Sequence, residues 1–329
     1  MENMKLTFVN VGYGEAILLE CPDESRPGGL FTLLIDGGSA EAEEYADRST
    51  GRIPLADYLA KRGRNHIDWM LATHLHEDHL CGLLTVAETG TPQVLCQPLP
   101  ADAYLQMQPL DTARADTPSQ QKFLRALADY QALCRKVAAG GGEIRAMQAG
   151  ETLRPCENLS LRVLGPNAAQ MALLAEQCAA LYQPQTAEQR KGKLLRLDGE
   201  MNNFSLILQV EYCGTRMLLP GDTNALGYGD VAAADLKCDL FKVGHHGQRD
   251  SVTEDLFRAI APAAVVCCAS SDRRYNSADA EVLALMRAGG AKLYFSDCPP
   301  VPEQINAPHQ AVEFSIGKNG ALDARYLLP

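Results

Sequence analysis

Short apolar runs separated by glycine-rich or polar turns recur along the chain and predict many strands. Gly12-Tyr13-Gly14 marks the turn between the first two runs, and Asp36-Gly37-Gly38 ends the third. The runs have strand length and are rich in β-branched and aromatic residues. The predicted strands are 5–11, 15–20, 30–35, 67–72, 144–148, 159–164, 204–210, 215–219, 240–243, 263–268, 292–296 and 312–316.

Other segments have apolar residues at helical spacing, often followed by a glycine stop. These predicted helices are 52–62, 117–137, 168–182, 254–260 and 279–288. The polar, charged stretch 183–200 is predicted to be an exposed loop instead. Strand-rich halves with helices between them favour an α/β (α+β) fold in which two sheets are sandwiched by helices. We expect one domain spanning 1–329, with insertions at 99–140 and 168–200.

The net charge of the 329 residues is −11, which disfavours nonspecific binding to nucleic acid. An acidic chain repels phosphate backbones at long range, so nucleic acid would bind only in a local basic groove. The eleven cysteines form no C-x-x-C pair, which favours reduced, buried thiols in a reducing compartment. The first residues lack a secretory pattern, and no run reaches the roughly 18 apolar residues of a membrane span. We therefore expect a cytoplasmic protein that does not engage a membrane.

A dense H-x-H-x-D-H motif, formed by His74, His76, Asp78 and His79, directly follows the predicted strand 67–72. It holds three of the seven histidines of the chain. On a loop, the first two imidazoles can face one ion, while the aspartate and third histidine turn toward a second. Imidazole with carboxylate suits Zn²⁺, as one or two ions, with Mn or Fe as alternatives. The alternative interpretation is a surface cluster that binds no metal.

Further ligand types follow later strands of the chain. Asp222 lies in LLPGDTN, and His245 and His246 lie in FKVGHHGQ. Taken alone, the aspartate could simply form a turn and the histidine pair could be a loop feature. Together with the H-x-H-x-D-H motif, they predict a metal centre in which Asp222 bridges two ions.

These blocks resemble the metallo-β-lactamase superfamily, and more narrowly the metal-hydrolase domain of ComEC-like DNA-uptake proteins. The resemblance covers about residues 8–297 in family order. The blocks that carry it are NVGYGEAILLE, LLIDGG, THLHEDHLCGL, MNNFSLIL, LLPGDT, LFKVGHHG and RRYNSADAEVLALMRAGGAKLYFSD. The resemblance implies a four-layer αββα sandwich with helical insertions and with the metals between the outer loops of the two sheets. It also implies that His74 and His76 bind a first metal, that Asp78 and His79 bind a second, and that Asp222 bridges them.

The same resemblance assigns the remaining site residues. One of His245 and His246 would complete the second metal site, and the sequence leaves open which one. Asp36 would orient a ligand through its carboxylate. The chain departs from many members of the superfamily because no histidine lies between the motif and His245. Asn202 and Asn203 occupy that region and are expected to lie beside the ligands, as in ComEC-like chains.

A metal-bound water is acidic enough to supply hydroxide near neutral pH, which predicts a hydrolase. Asp78 could orient that nucleophile, and whichever of His245 and His246 is free of metal could protonate the leaving group. Phosphodiester hydrolysis is the leading expectation, as in a nuclease-type enzyme. A metal-dependent lactonase, thioesterase or amidase is the first alternative. A non-catalytic metal-binding module is the second.

The expected substrate is a phosphodiester or another small anion, with single-stranded nucleic acid as a further candidate. Several basic residues could hold its phosphate. They are Lys242, Arg249, Arg273, Arg274 and the basic side chains of 190–196.

Overall fold

The computed structural model describes residues 3–108, 110 and 117–329. Residues 109 and 111–116 of the predicted insertion 99–140 lie outside the described residues. The described strands are β1 (Met4–Val9), β2 (Ile17–Pro22), β3 (Leu30–Ile35), β4 (Trp69–Leu71), β5 (Val94–Gln97), β6 (Glu143–Ala146), β7 (Thr152–Cys156), β8 (Leu159–Gly165), β9 (Ile207–Tyr212), β10 (Thr215–Leu219), β11 (Leu240–Lys242), β12 (Ala264–Cys267), β13 (Lys292–Phe295), β14 (Ala311–Ile316) and β15 (Leu322–Leu327).

The α-helices lie between these strands. They are α1 (Leu55–Lys61), α2 (Glu77–Thr89), α3 (Pro118–Ala139), α4 (Ala168–Tyr182), α5 (Ala187–Glu200), α6 (Ala233–Leu236), α7 (Glu254–Ile260) and α8 (Ala280–Ala288). Among the described helices, none is both long and apolar enough to cross a bilayer.

The strands form two sheets. The first has the order β15-β14-β1-β2-β3-β4-β5-β6, and the second has the order β13-β12-β11-β10-β9-β8-β7. In each sheet a parallel set follows antiparallel strands: β3 to β6 are parallel in the first, and β10 to β13 in the second. Parallel strands end at a common edge, so the segments that follow them come together there.

Alternating side chains place each sheet between two apolar layers. In β3, Leu33 and Ile35 belong to the core between the sheets, whereas Leu34 faces the helices on the outer side. In β10, Leu219 faces the inter-sheet core and Leu218 packs toward α7 and α8. This arrangement confirms the predicted four-layer αββα sandwich.

Two local predictions around the motif and the insertion differ from the structure. Helix α2 begins at Glu77, so Asp78 and His79 lie in its first turn and not on a loop. The stretch 183–200 is not a loop, because α5 forms there with a capping box between Thr186 and Gln189. The buried residues of this helix are Leu194 and Leu197. The other residues of the segment are mostly polar, so the sequence pattern did not indicate a helix.

Candidate metal centre

The candidate site forms where parallel strands of both sheets end. Asp36 directly follows β3, His74 lies shortly after β4, and Asp222 lies shortly after β10. His246 follows β11 in the same way, and the first turn of α2 adds His79. Residues far apart in the chain therefore meet at one edge of the sandwich.

Four side chains converge on a common point. The ligand atoms of Asp78, His79, Asp222 and His246 all lie within 4.8 Å of one another. Asp222 Oδ2 is 2.9 Å from His246 Nε2 and 3.2 Å from His79 Nε2. Asp78 Oδ2 is 3.2 Å from His246 Nε2. Ligand atoms about 2.0–2.1 Å from a tetrahedral zinc ion lie roughly 3.3 Å apart, so these residues fit such an ion.

A second pair of imidazoles meets beside this cluster. His74 Nε2 lies 3.1 Å from His76 Nδ1, which is again the spacing of two ligands on one ion. His74 Nδ1 lies 3.0 Å from the Thr73 hydroxyl, which itself donates to Asp36. That hydroxyl can therefore accept the Nδ1 proton, which leaves His74 Nε2 with its lone pair free.

Asp36, which the resemblance assigns to orienting a ligand, contacts His79 and Thr73. Its Oδ2 lies 2.7 Å from His79 Nδ1 and accepts from the Thr73 hydroxyl at 2.6 Å, while its Oδ1 accepts from the Thr73 amide at 2.8 Å. A carboxylate can only accept, so His79 Nδ1 carries the proton and Nε2 faces the cluster. Asp36 also lies within 4.8 Å of His74 and His79 by ligand atoms.

The two adjacent histidines have different surroundings. His246 Nδ1 lies 2.8 Å from the Cys268 carbonyl oxygen, so Nδ1 carries the proton and Nε2 is left for the cluster. His245 Nδ1 lies instead 2.8 Å from Asp250 Oδ1 at the edge of the cleft. The geometry thus favours His246 as the ligand of the pair.

The two asparagines also differ. Asn202 lines the cleft, and its buried Oδ1 has no hydrogen-bond partner among the described residues. Asn203 Oδ1 accepts from the Asn224 amide at 3.3 Å and so supports the loop that follows β10. Only Asn202 faces the space next to the predicted ligands.

A buried lysine contacts the predicted bridging aspartate, which the sequence did not indicate. Lys242 Nζ lies 3.1 Å from Asp222 Oδ1, forms an ion pair with Glu15, and donates to the Gly221 carbonyl at 2.7 Å. Burial opposes its charge, but Glu15 and Asp222 outweigh burial and raise the pKa of Lys242. The expectation that Lys242 holds phosphate is wrong, because its side chain is fully buried and already paired.

Mutual charges stabilise this buried cluster. Burial works against the charge on His246, yet Asp222 and Asp78 raise its pKa to about 9. Against the same effect of burial, Asp222, Asp36 and Asp78 raise the pKa of His79 well above its usual value. The imidazoles in turn hold the pKa of Asp222 well below its usual value. Positive charge is therefore favoured at this point, whether protons or a divalent cation supply it.

A cleft of about 350 Å³ opens onto the cluster. It is lined by Tyr13, His76, Glu77, Asp78, Ser119, Lys122, Phe123, Asp198, Gly199, Asn202, Asp222, His245, Gln248, Arg274 and Tyr275. Of the basic residues singled out from the sequence, Arg274 lines this cleft. Arg249 pairs with Glu281 on the exposed surface instead.

Sequence reasoning missed several cleft residues, among them Lys122, Phe123 and Asp198. They come from α3 and α5, whose sequences have ordinary amphipathic patterns and no metal-binding motif. The capping box that opens α5 could have revealed that helix, but nothing local could have placed Asp198 beside His76.

Comparison with known proteins shows what this chain is similar to. Residues 16–118 match the family model described as metallo-beta-lactamase superfamily. The chain is 22% identical over 302 residues to ComE operon protein 3 of Bacillus subtilis, in an alignment that covers 89% of this chain and 32% of that protein. The chain thus spans about a third of the length of that relative.

Two solved structures illustrate the similarity of this chain to known folds. Zinc-bound PqqB of Methylobacterium extorquens aligns with a TM-score of 0.42 and 15% identity, covering 87% of this chain and 85% of that chain. A variant metallo-beta-lactamase of Cronobacter sakazakii aligns with a TM-score of 0.40 and 14% identity. The alignment covers 86% of this chain and 90% of that chain.

Proposed function

We propose that this chain, which is similar to the metallo-β-lactamase superfamily over residues 16–118, is a divalent-metal-dependent hydrolase that prefers phosphodiester substrates. The observation that carries the proposal is the convergence of Asp78, His79, Asp222 and His246 within 4.8 Å. Zinc is the proposed metal because two imidazoles with two carboxylates form a borderline donor set that suits it, while Mn and Fe accept the same ligands.

A divalent cation held there would polarise the scissile bond and make an attacking water more acidic. The protein residues supply the remaining chemistry. Asp78 borders both the cluster and the cleft, so it can orient the attacking water as well as bind the ion. His245 lines the cleft, and its Nδ1 forms a hydrogen bond with Asp250 Oδ1. Its Nε2 is therefore the nitrogen that can protonate a leaving group.

Four carboxylates line the cleft, and two basic side chains on its walls can bind an anionic substrate beside them. Lys122 and Arg274 lie on its walls, where they can bind phosphate oxygens. Both are partly neutralised, Lys122 by Glu41 at 2.9 Å and Arg274 by Asp272 at 3.2 Å and by Glu44. The cleft therefore favours a single phosphodiester group over a long polyanion, although a single-stranded nucleic acid could present such a group one residue at a time.

The similarity to ComE operon protein 3 supports the same direction, since the sequence blocks of this chain also resemble the metal-hydrolase domain of ComEC-like DNA-uptake proteins. A cleft of about 350 Å³ has room for a phosphodiester with one attached nucleoside.

A substrate panel tests the proposal. The protein is stripped of metal, reloaded with Zn²⁺, Mn²⁺ or Fe²⁺, and assayed on bis(p-nitrophenyl) phosphate, p-nitrophenyl phosphate, a p-nitrophenyl ester, a lactone and a thioester. We expect metal-dependent turnover that is fastest on the diester. His246→Ala should abolish it, whereas His66→Ala should not, because His66 is 64% exposed and contacts Asp68 outside the cleft.

Each other result overturns the proposal in a defined way. Turnover of esters, thioesters or lactones without diester hydrolysis would show a carbonyl hydrolase. Metal binding without any turnover across the panel would show a non-catalytic metal-binding module.

A further inference from the structure

Three of the four imidazoles in this site share one arrangement. In each, the nitrogen that points away from the metal position lies beside a group that can accept its proton. For His79 that group is Asp36, for His246 it is the Cys268 carbonyl, and for His74 it is the Thr73 hydroxyl. Such partners fix the tautomer and the ring orientation of metal-binding histidines.

The fourth imidazole, His76, has a candidate partner from the inserted helix α5. Its Nδ1 faces His74 Nε2, so Nε2 is the nitrogen that points away. Asp198 Oδ1 lies 3.3 Å from that Nε2, and the two side chains are only 20% and 18% exposed. The contact does not meet hydrogen-bond geometry, so His76 Nε2 is a buried nitrogen without a hydrogen bond among the described residues.

Two further contacts hold this pair in place. The Ser119 hydroxyl donates to Asp198 Oδ2 at 3.3 Å, which leaves Oδ1 directed at the imidazole. The Phe123 ring packs edge-on against His76, with ring centroids 5.6 Å apart. Because α3 supplies both Ser119 and Phe123, helices α3 and α5 together fix the position of this imidazole.

We propose that Asp198 is the positioning residue of the first metal site, accepting the Nε2 proton of His76 so that Nδ1 is free to bind the ion. The proposal rests on the proposed function, because it concerns the same metal centre. Such support for His76 would strengthen ion binding at a first site that lacks the additional histidine found in many superfamily members. Hydrogen bonds of an unliganded site often tighten when its ligand binds, so the 3.3 Å contact between His76 Nε2 and Asp198 Oδ1 is expected to become a hydrogen bond when the ion is held.

The role of Asp198 is indirect, because its oxygen faces the nitrogen that is turned away from His74. A purely structural role in anchoring α5 would not distinguish one metal site from the other. A positioning role predicts instead that the loss is confined to the first site.

Zn²⁺ titration with a competing chromophoric chelator tests this on the full chain. We expect the wild type to bind two ions and Asp198→Ala to bind one of them about 10- to 100-fold more weakly. Asp198→Asn should lose less, because its amide oxygen can still accept the Nε2 proton. Glu200→Ala is the matched control on the same helix, since Glu200 pairs with Arg196 and Gln177 and lies outside the cleft.

Two genetic backgrounds locate the lost ion. In His246→Ala, where the second site is removed, Asp198→Ala should weaken the remaining ion. In His74→Ala, where the first site is removed, Asp198→Ala should change nothing. Circular dichroism of each variant checks that the helices are retained.

Equal affinities of Asp198→Ala and wild type would overturn the proposal. An equal loss at both sites, or a wild type that binds a single ion through His246, would also overturn it. Two-ion binding with the expected loss but no diester hydrolysis would contradict the proposed function alone.

Discussion

Asp36 Oδ2 lies 2.7 Å from His79 Nδ1, and both side chains are fully buried. The pair joins the end of β3 to the first turn of α2, so it transmits the sheet geometry to a predicted ligand. Asp36 has a left-handed φ of 56° and holds Thr73 as well, which shows how closely its surroundings constrain it.

Asp36→Asn should weaken zinc binding by about 10- to 100-fold, because the amide is a poorer acceptor and no longer enhances the basicity of His79. Chelator competition measures the change. Asp57→Asn, at an exposed position of α1, should leave the affinity as in the wild type. Unchanged zinc binding in Asp36→Asn would show that the pair does not tune the ligand.

Lys242→Met should lower the free energy of unfolding by about 3–5 kcal/mol, since it leaves the buried carboxylate of Glu15 without its cation. Urea denaturation of the metal-free protein measures this value. The double variant Glu15→Gln with Lys242→Met should lose less than the sum of the two single changes, because Lys242 pairs with Glu15. Strict additivity would mean that the buried ion pair is not coupled.

Arg274→Ala should reduce kcat/KM for a phosphodiester by about 10- to 100-fold, the effect of a lost charge-assisted hydrogen bond to phosphate. Steady-state kinetics on bis(p-nitrophenyl) phosphate provides the measurement. Arg258→Ala serves as the control, because Arg258 is 66% exposed and pairs only with Glu254 and Asp255 on α7. If both variants have wild-type kinetics, Arg274 does not bind the substrate.

Zinc affinity should rise with pH up to about 9. The pKa of His246 is raised from 6.5 to about 9, so the metal-free imidazole is protonated at neutral pH and must lose that proton to bind zinc. His79, whose pKa is also raised, should release a second proton. Titration calorimetry near pH 7.5 in buffers of different ionisation enthalpy counts the protons. Binding without proton release would contradict these charge states.

The periodic elements could be predicted from sequence because their apolar patterns are local. The strand at 30–35 and the helices at 168–182 and 254–260 have the predicted bounds. The convergence of Asp222 with the H-x-H-x-D-H motif could also be predicted, since strand ends of a sandwich meet at one edge.

The remaining features depend on packing between distant segments. Asp198 lies in a polar helix, and only the docking of α5 on α3 brings it to His76. Lys242 is the last residue of an apolar strand. The alternation of side chains along that strand does not reveal whether the lysine amine reaches solvent or pairs with Glu15. His245 and His246 both have left-handed φ values, 44° and 50°, so no periodic rule states which one points inward.

Anomalous X-ray scattering at the zinc edge, from crystals of the zinc-loaded protein, tests whether these side chains bind a metal. We expect a peak about 2.0–2.2 Å from His79 Nε2, His246 Nε2 and an Asp222 oxygen. A zinc-saturated crystal with no peak there, in which these side chains still form hydrogen bonds with one another, would contradict the proposed metal centre.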